Sequence, residues 1–216
     1  ERLFNRKQEF VPSEEQLNEF FNKKAEAMKK ILGDMYEVVG HSVIAFHAGG
    51  AVDMYYFPNA IDGTAMATME LIDYENRGPV PNRNGMYELV AFTRHKVDRK
   101  AGTIPGNTPF DKIERRMCKI FTCIGRYSYE VKIEPGETCE IPGSNGEEGI
   151  CLVFDEYKKK GTDFEINGKK YGLLTCIEVF RSEMEYAMKN GSHELFKLLK
   201  QHNYYPYSDM DREPVI

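Results

Sequence analysis

The sequence predicts an α+β fold in which a mixed or mainly antiparallel β-sheet packs against helices. Helical periodicity appears near the start, in the middle and at the end of the chain, with short β-branched or aromatic segments between. The first four of these segments follow one another too closely for helical crossovers, which favours an antiparallel meander. A long, mostly apolar segment over residues 171–180 is expected to form a strand near the middle of the sheet.

The composition is that of a globular protein, and it narrows the range of partners. Of the 216 residues, 41% are hydrophobic and 29% are charged, which suffices for one large domain without disulfides. The net charge is −5 and no long basic tract occurs, so we expect no nucleic-acid partner. No apolar run is long enough to span a bilayer, so we expect no membrane association.

The expected location is the cytoplasm. Residues 1–10 lack the apolar core that a signal peptide requires. The chain has five cysteines, an odd number that does not fit the disulfide framework of a secreted domain. A reducing compartment is therefore predicted.

The first helix is predicted over residues 13–32. Ser13 and Gln16 have the spacing of a capping box, an apolar stripe with a period near 3.6 follows, and Gly33 supplies the stop signal. The polar face of this helix carries four lysines and is expected to be solvated. These lysines are Lys23, Lys24, Lys29 and Lys30.

Strands and exposed loops are predicted for the middle of the chain. The strands cover residues 38–47, 52–57, 64–71 and 86–93. Residues 76–85 and 99–109 are polar or rich in Pro and Gly, and we expect both segments to be exposed loops.

The C-terminal half is predicted to begin with a helix capped by Thr108 and ended by Gly125. Further strands are expected over residues 127–134 and 150–154. Asn167-Gly168 is the best turn signal for a hairpin, and it leads into the long strand. Two short helices close the chain, with Ser182 and Ser192 as their predicted caps.

Side chains that could carry out catalysis are few and scattered. His41 and His47 would face the same side of a predicted strand, about 20 Å apart, which is too far to share a metal ion. The cysteines lack the tight pairs of zinc sites, and no glycine-rich phosphate loop occurs. We therefore predict no catalytic residue, no metal and no cofactor. The alternative is a small hydrolase or metal-dependent enzyme that uses these two histidines and a cysteine.

A series of short motifs, each weak alone, occurs in a specific order over residues 38–214. They are Met54-Tyr-Tyr-Phe-Pro58, Glu70-Leu-Ile-Asp73, Gly125-Arg-Tyr-Ser-Tyr129, Pro135-Gly-Glu-Thr138, Ile141-Pro-Gly143, Tyr171-Gly-Leu-Leu-Thr-Cys-Ile-Glu-Val-Phe180, Glu183-Met-Glu-Tyr-Ala-Met-Lys-Asn-Gly191 and Asp211-Arg-Glu-Pro214. In this order the motifs resemble the Suppressor of fused domain family.

The resemblance implies an α+β domain whose activity is protein binding. The family's animal member restrains Gli transcription factors by holding an extended peptide between this domain and a second one. Bacterial relatives are standalone domains, and many are proposed immunity proteins against polymorphic toxins. We expect the present chain to correspond to the first domain alone, which favours the bacterial form. We expect an N-terminal helical segment over residues 1–36, a Suppressor-of-fused-like domain over residues 37–216, and the sequestration of a protein partner.

The resemblance also implies a partner-binding site. Tyr127 matches the tyrosine of the family's Arg-Tyr motif, and Glu137 falls near the acidic residue of the turn that follows. An edge strand would accept a segment of the partner by β-augmentation, with Tyr127 as an amphipathic contact and Glu137 as a charge for a basic residue. The alternative is that Tyr127 is a half-buried strand aromatic and Glu137 a solvated turn residue.

The same region is rich in carboxylates, which suggests how a toxin would be blocked. Acidic loops can mimic phosphate groups toward a basic nuclease. The four acids of this Gly- and Pro-rich segment are Glu137, Glu140, Glu147 and Glu148.

Overall fold

The computed structural model describes residues 12–100, 106–144 and 146–216, in which seven strands form one mixed sheet. The strands are β1 (Tyr55–Phe57), β2 (Thr64–Ala67), β3 (Tyr87–Thr93), β4 (Thr138–Ile141), β5 (Ile150–Glu156), β6 (Phe164–Ile166) and β7 (Lys169–Val179). The α-helices of these residues are α1 (Glu14–Leu32), α2 (Pro109–Ser128), α3 (Arg181–Asn190) and α4 (Ser192–Gln201).

The strand order is β1-β2-β3-β7-β5-β4, and β6 pairs with the beginning of β7. The first three strands form the predicted antiparallel meander. β3 pairs with β7 in parallel, whereas β5 is antiparallel to both β7 and β4, which makes the sheet mixed. The predicted fold class and the central position of the long strand are both confirmed.

Helices cover both faces of the sheet. Along β5, Leu152 and Phe154 pack among buried side chains of α2, while Cys151 and Val153 pack among those of α3 and α4. This alternation is the two-residue period of a strand that is buried on both faces. α1 packs with β6 against the strands at the other end of the sheet.

The first two helices begin at their predicted caps, and α1 also ends at its predicted stop, Gly33. The Ser13 capping box is present, and Thr108 caps α2 by accepting a hydrogen bond from the Asp111 amide at 3.1 Å. α2 continues three residues beyond the predicted stop at Gly125. A Cβ atom on that glycine would lie 3.0 Å from a methyl of Leu71, so the glycine permits close packing inside the helix.

Two predicted strands are wrong. Residues 127–134 contain the last turn of α2 and an irregular connection, and the strand forms later, as β4. Residues 38–47 form a loop with one bridge at Gly40, followed by a 3₁₀ turn over Phe46–Ala48. Val131 in the first of these segments and Val43 in the second are exposed, so apolar composition predicted neither the burial nor the backbone conformation correctly.

The predicted caps of the last two helices are also wrong. In α3 the Glu183 carboxylate accepts a hydrogen bond from the Phe180 amide at 2.9 Å, so the helix begins one residue before Ser182. Ser192 is the first residue of α4, and its hydroxyl donates to the Gly136 carbonyl at 2.5 Å. The serine therefore ties the helix to the turn before β4.

Two charged residues predicted on exposed segments are buried. Lys24 is 1% exposed and forms an ion pair with Glu88 at 2.8 Å. Arg99 is 7% exposed and pairs with Asp111 and Glu114 at 2.7 and 3.0 Å. The assignment of Lys24 to the polar face is wrong because the residue lies on the apolar stripe, four residues before Met28. For Arg99, the polar composition of the loop did not indicate that buried acids of α2 would pair with it.

The hairpin between β6 and β7 is confirmed. Its turn residues, Asn167 and Gly168, have φ angles of 52° and 78°, the left-handed conformation that a two-residue hairpin requires. In the ranges that the structure describes, each helix is too short or too polar to cross a bilayer.

Candidate partner-binding site

The sheet ends at one side with β4, whose outer edge is open. The main-chain carbonyl of Glu137 accepts a hydrogen bond from the Phe154 amide at 2.9 Å, and the Gly136 amide donates to the Phe154 carbonyl at 2.7 Å. Bonded positions alternate along an antiparallel pair, so Cys139 and Ile141 turn their main-chain groups toward β5. The amide and carbonyl groups of Thr138 and Glu140 therefore point away from the sheet.

These outward groups have no hydrogen-bond partner among the described residues. The opposite edge, β1, differs because a neighbouring segment covers it. The Tyr36 amide donates to the Tyr56 carbonyl at 2.8 Å, and Gly40 and Met54 exchange two hydrogen bonds of 2.9 Å. The edge of β1 is therefore covered, whereas the edge of β4 is unpaired. Another chain can add a strand at an unpaired edge.

Glu137 lies in the turn that leads into β4. Its amide donates to the Glu134 carbonyl at 3.1 Å, and Gly136 takes the positive φ of 95° that this turn needs. One oxygen of the Glu137 carboxylate accepts a hydrogen bond from the Glu134 amide at 2.8 Å. Glu137 is exposed and has no basic side chain within ion-pair distance in the described ranges, so its charge is available to a partner.

The neighbouring acid in this turn is already neutralised. Lys132 pairs with Glu134 at 2.8 Å, and this hydrogen bond lowers the pKa of the Glu134 carboxyl. Glu137 is therefore the acid of the turn whose charge is not paired within the described chain.

Tyr127 lies in the last turn of α2, where its side chain is 48% exposed. Its hydroxyl has no hydrogen-bond partner in the part of the chain that the structure describes. The adjacent Arg126 donates to the carbonyls of Gly49 and Gly50 at 2.5 and 2.7 Å, which fixes this end of the helix. Tyr127 and Glu137 thus flank the connection between α2 and β4, one at each end.

β4 itself was not predicted, although the sequence carries a signal for it. The segment Thr138-Cys-Glu-Ile141 alternates polar and apolar residues between two turns that contain Pro-Gly. Cys139 and Ile141 pack against the α2 face of the sheet. Four residues of alternation are short, but the flanking turns mark the segment as a strand.

The two histidines of the enzyme alternative contact different partners. His41 pairs with Asp53 at 2.8 Å, whereas His47 contacts the Glu70 carbonyl at 2.9 Å. Cys118 lines the same cleft of about 390 Å³ as His41. Burial, with a contribution from Glu114, raises the pKa of the Cys118 thiol, which disfavours the thiolate that a nucleophile needs.

Metal ligands are likewise not gathered. The described residues contain no group of three His, Cys, Asp or Glu side chains that could hold an ion. The five cysteines are all free thiols, and burial raises the pKa of several, among them Cys139 and Cys151.

A comparison with solved structures finds the crystal structure of the Sufu–Fu complex. The match has a TM-score of 0.58 at 15% sequence identity, and it covers 93% of this chain and 92% of that chain. No protein-family model matches the sequence, and a search of curated proteins finds no match. The chain therefore has a Suppressor-of-fused-like fold, as the order of its motifs predicted.

Proposed function

We propose that this chain is a non-enzymatic protein-binding domain that sequesters its partner by adding an extended segment of it to β4. The observation that carries the proposal is the open edge of β4, where the main-chain groups of Thr138 and Glu140 are unpaired. The structurally similar Sufu was solved as a complex with Fu, which supports a protein partner.

Tyr127 and Glu137 are the side chains we propose to give this edge its specificity. Main-chain hydrogen bonds to an edge strand are independent of sequence, so side chains beside the edge must select the segment. Tyr127 offers an exposed ring with a free hydroxyl, the amphipathic kind of contact that is enriched at binding hot spots. Glu137 offers a negative charge for a basic residue of the partner.

Peptides selected from a random display library against the purified chain test this proposal. We expect basic segments to be selected, and Glu140→Pro to raise their dissociation constant about tenfold. Proline removes the outward amide of Glu140 but leaves the ladder to β5 intact, because that amide does not bond to β5. Tyr127→Ala and Glu137→Gln should each weaken binding by a similar factor.

The matched control is Glu140→Ala, which removes the same side chain and keeps the amide. Glu140 pairs with Arg181 on the surface at 2.5 Å, so the alanine variant loses that ion pair just as the proline variant does. Hydrogen exchange of the Thr138 and Glu140 amides should slow when the peptide binds. Equal dissociation constants for the proline and alanine variants, together with no slowing of hydrogen exchange at these two amides, would rule out strand addition.

The most concrete form of this function is that of an immunity protein for a toxin. Glu147 and Glu148 are exposed and Glu137 is unpaired, so together they present negative charge toward a basic active site. Blocking an active site requires tight, stoichiometric binding, which electrostatic complementarity accelerates.

A toxin encoded beside this chain provides the test of the immunity role. We expect coexpression of the chain to restore growth of cells that produce the toxin domain, and replacement of four acids by Gln to weaken the complex about tenfold. The replaced acids are Glu137, Glu140, Glu147 and Glu148. The control replaces four exposed acids elsewhere, namely Glu14, Glu15, Glu165 and Glu213. Growth that is not restored, or equal weakening by both sets, would contradict this role.

A further inference from the structure

The solvent-exposed face of α2 carries five basic residues and no exposed acid. The five residues, which we call the α2 basic face, are Lys112, Arg115, Arg116, Lys119 and Arg126. Their spacing places them on one side of a helix with 3.6 residues per turn. The two acids of the helix, Asp111 and Glu114, are buried against Arg99 and do not offset this charge toward solvent.

This concentration of positive charge differs from the charge pattern of α1. The chain as a whole has a net charge of −5. On α1, which is of similar length, lysines are compensated by acids one turn away, as in the pairs Lys23–Glu19 and Lys29–Glu26 at 2.7 and 2.8 Å. Because no exposed acid of α2 offsets its basic face, that face requires its own explanation.

The cations of the α2 basic face fall into two groups. Arg116 pairs at 2.5 Å with Glu178, a buried strand residue, and Arg115 donates to the Gly106 carbonyl at 2.7 Å. Lys112 and Lys119 have no side-chain partner in the described ranges. They are two turns apart, roughly 10 Å along the helix axis, and both are free to bind an anion.

An open cleft of about 470 Å³ runs beside this face, between α2 and the C-terminal segment of the chain. Pro109, Ile113 and Met210 give it an apolar surface, and Lys112 and Arg116 form its wall on the helix side. A ligand that bridges the face and the cleft needs carboxylates and an apolar side chain close together, which a polypeptide supplies from neighbouring positions.

We propose that the α2 basic face and this cleft bind an acidic segment of a protein. Carboxylates of the segment pair with Lys112 and Lys119, and an apolar side chain occupies the cleft. A polypeptide fits better than a nucleic acid or an anionic membrane, because Asp209 and Asp211 line the cleft and repel a continuous array of phosphates. This surface is distinct from the β4 edge, and it selects a partner segment of opposite charge.

The experiment measures binding of a fluorescein-labelled peptide in which Leu residues alternate with pairs of Glu residues. We expect saturable binding that weakens as salt is added, and a dissociation constant that rises about tenfold in Lys112→Gln/Lys119→Gln. Both positions are exposed, so the variant keeps its fold. The matched control is Lys23→Gln/Lys30→Gln, which removes two exposed lysines from α1 and should leave binding unchanged.

Further probes separate the possible ligands. Replacing Leu by Ser in the peptide should weaken binding, since the cleft then loses its apolar contact, and Ile113→Ser should have the same effect. Absence of binding, or equal weakening by the α1 and α2 variants, would overturn the proposal. Stronger binding of single-stranded DNA, or of vesicles containing phosphatidylserine, would overturn it as well. Glu140→Pro should leave binding of the acidic peptide unchanged. The proposal for the α2 basic face can therefore fail or hold independently of the proposal for the β4 edge.

Discussion

Replacing Lys24 with Met is expected to lower the free energy of unfolding by about 3–5 kcal/mol. The ammonium group of Lys24 is buried and donates to the Glu88 carboxylate at 2.8 Å and to the carbonyls of Met69 and Ile72 at 2.8 and 2.5 Å. Methionine has a similar volume, so the loss comes from the unpaired charge rather than from a cavity. Glu88, which is 0% exposed, would remain in the core without its counter-ion.

Denaturant unfolding of three variants would test the role of this charge. Lys23→Met makes the same substitution one residue earlier, at an exposed ion pair with Glu19, and should cost less than about 1 kcal/mol. Lys24→Met/Glu88→Gln removes both charges and should recover part of the loss, because glutamine can still accept hydrogen bonds. A loss in Lys24→Met no larger than in Lys23→Met would show that the buried pair does not stabilise the fold.

The pair also supports the end of α2 where Tyr127 lies. Glu88 accepts hydrogen bonds from the amides of Leu71 and Ile72 at 3.2 and 3.1 Å, which fixes this segment. The Leu71 carbonyl in turn accepts a hydrogen bond from the Tyr129 hydroxyl at 2.5 Å. A buried charge contributed by the first helix therefore helps to position the connection between α2 and β4.

Periodicity predicted most of the fold because each helix and strand has a face that must be buried. The starts of α1 and α2, the meander and the hairpin at Asn167-Gly168 are specified by local chemistry, namely caps, alternation and turn residues. Lys24 shows where such patterns stop being informative. Its position, four residues after Phe20 and four before Met28, lies on the apolar stripe, so the helical period predicts its burial. The period does not identify its partner Glu88, which is distant in sequence.

The candidate site was harder to predict for the same reason. Whether a strand lies at an edge, and whether that edge is covered, depends on the order of strands in the sheet, which local sequence does not encode. Only the family resemblance points to Tyr127 and Glu137, and their partner-binding role stays a prediction. The spacing of the α2 basic face is present in the sequence, but the burial of Asp111 and Glu114, which leaves this face without an exposed acid, is a property of the fold.

The second large effect is expected at Arg99, where Arg99→Leu should destabilise the protein by about 3–5 kcal/mol. The guanidinium donates to Asp111 at 2.7 Å and to both oxygens of Glu114 at 3.1 and 3.0 Å, and Tyr56 completes the network. Leucine would leave two carboxylates buried without a cation. Arg99→Leu/Glu114→Gln should therefore lose less than Arg99→Leu alone. Arg115→Leu, at an exposed arginine of α2, should cost less than about 1 kcal/mol.

The dependence of this loss on pH distinguishes a charge effect from a packing effect. Burial raises the pKa of the Asp111 carboxyl, but hydrogen bonds from Thr108 and Arg99 outweigh it and lower the pKa from 3.8 to about 2. A carboxyl with a lowered pKa in the folded state stabilises it above the unfolded value, and this contribution is lost as the pH falls toward 2. In Arg99→Leu the pKa of Asp111 moves back up, so less stability remains to be lost on acidification. The difference in unfolding free energy between wild type and variant should therefore shrink from about pH 4 to pH 2, whereas a difference that stays constant would assign the effect to packing.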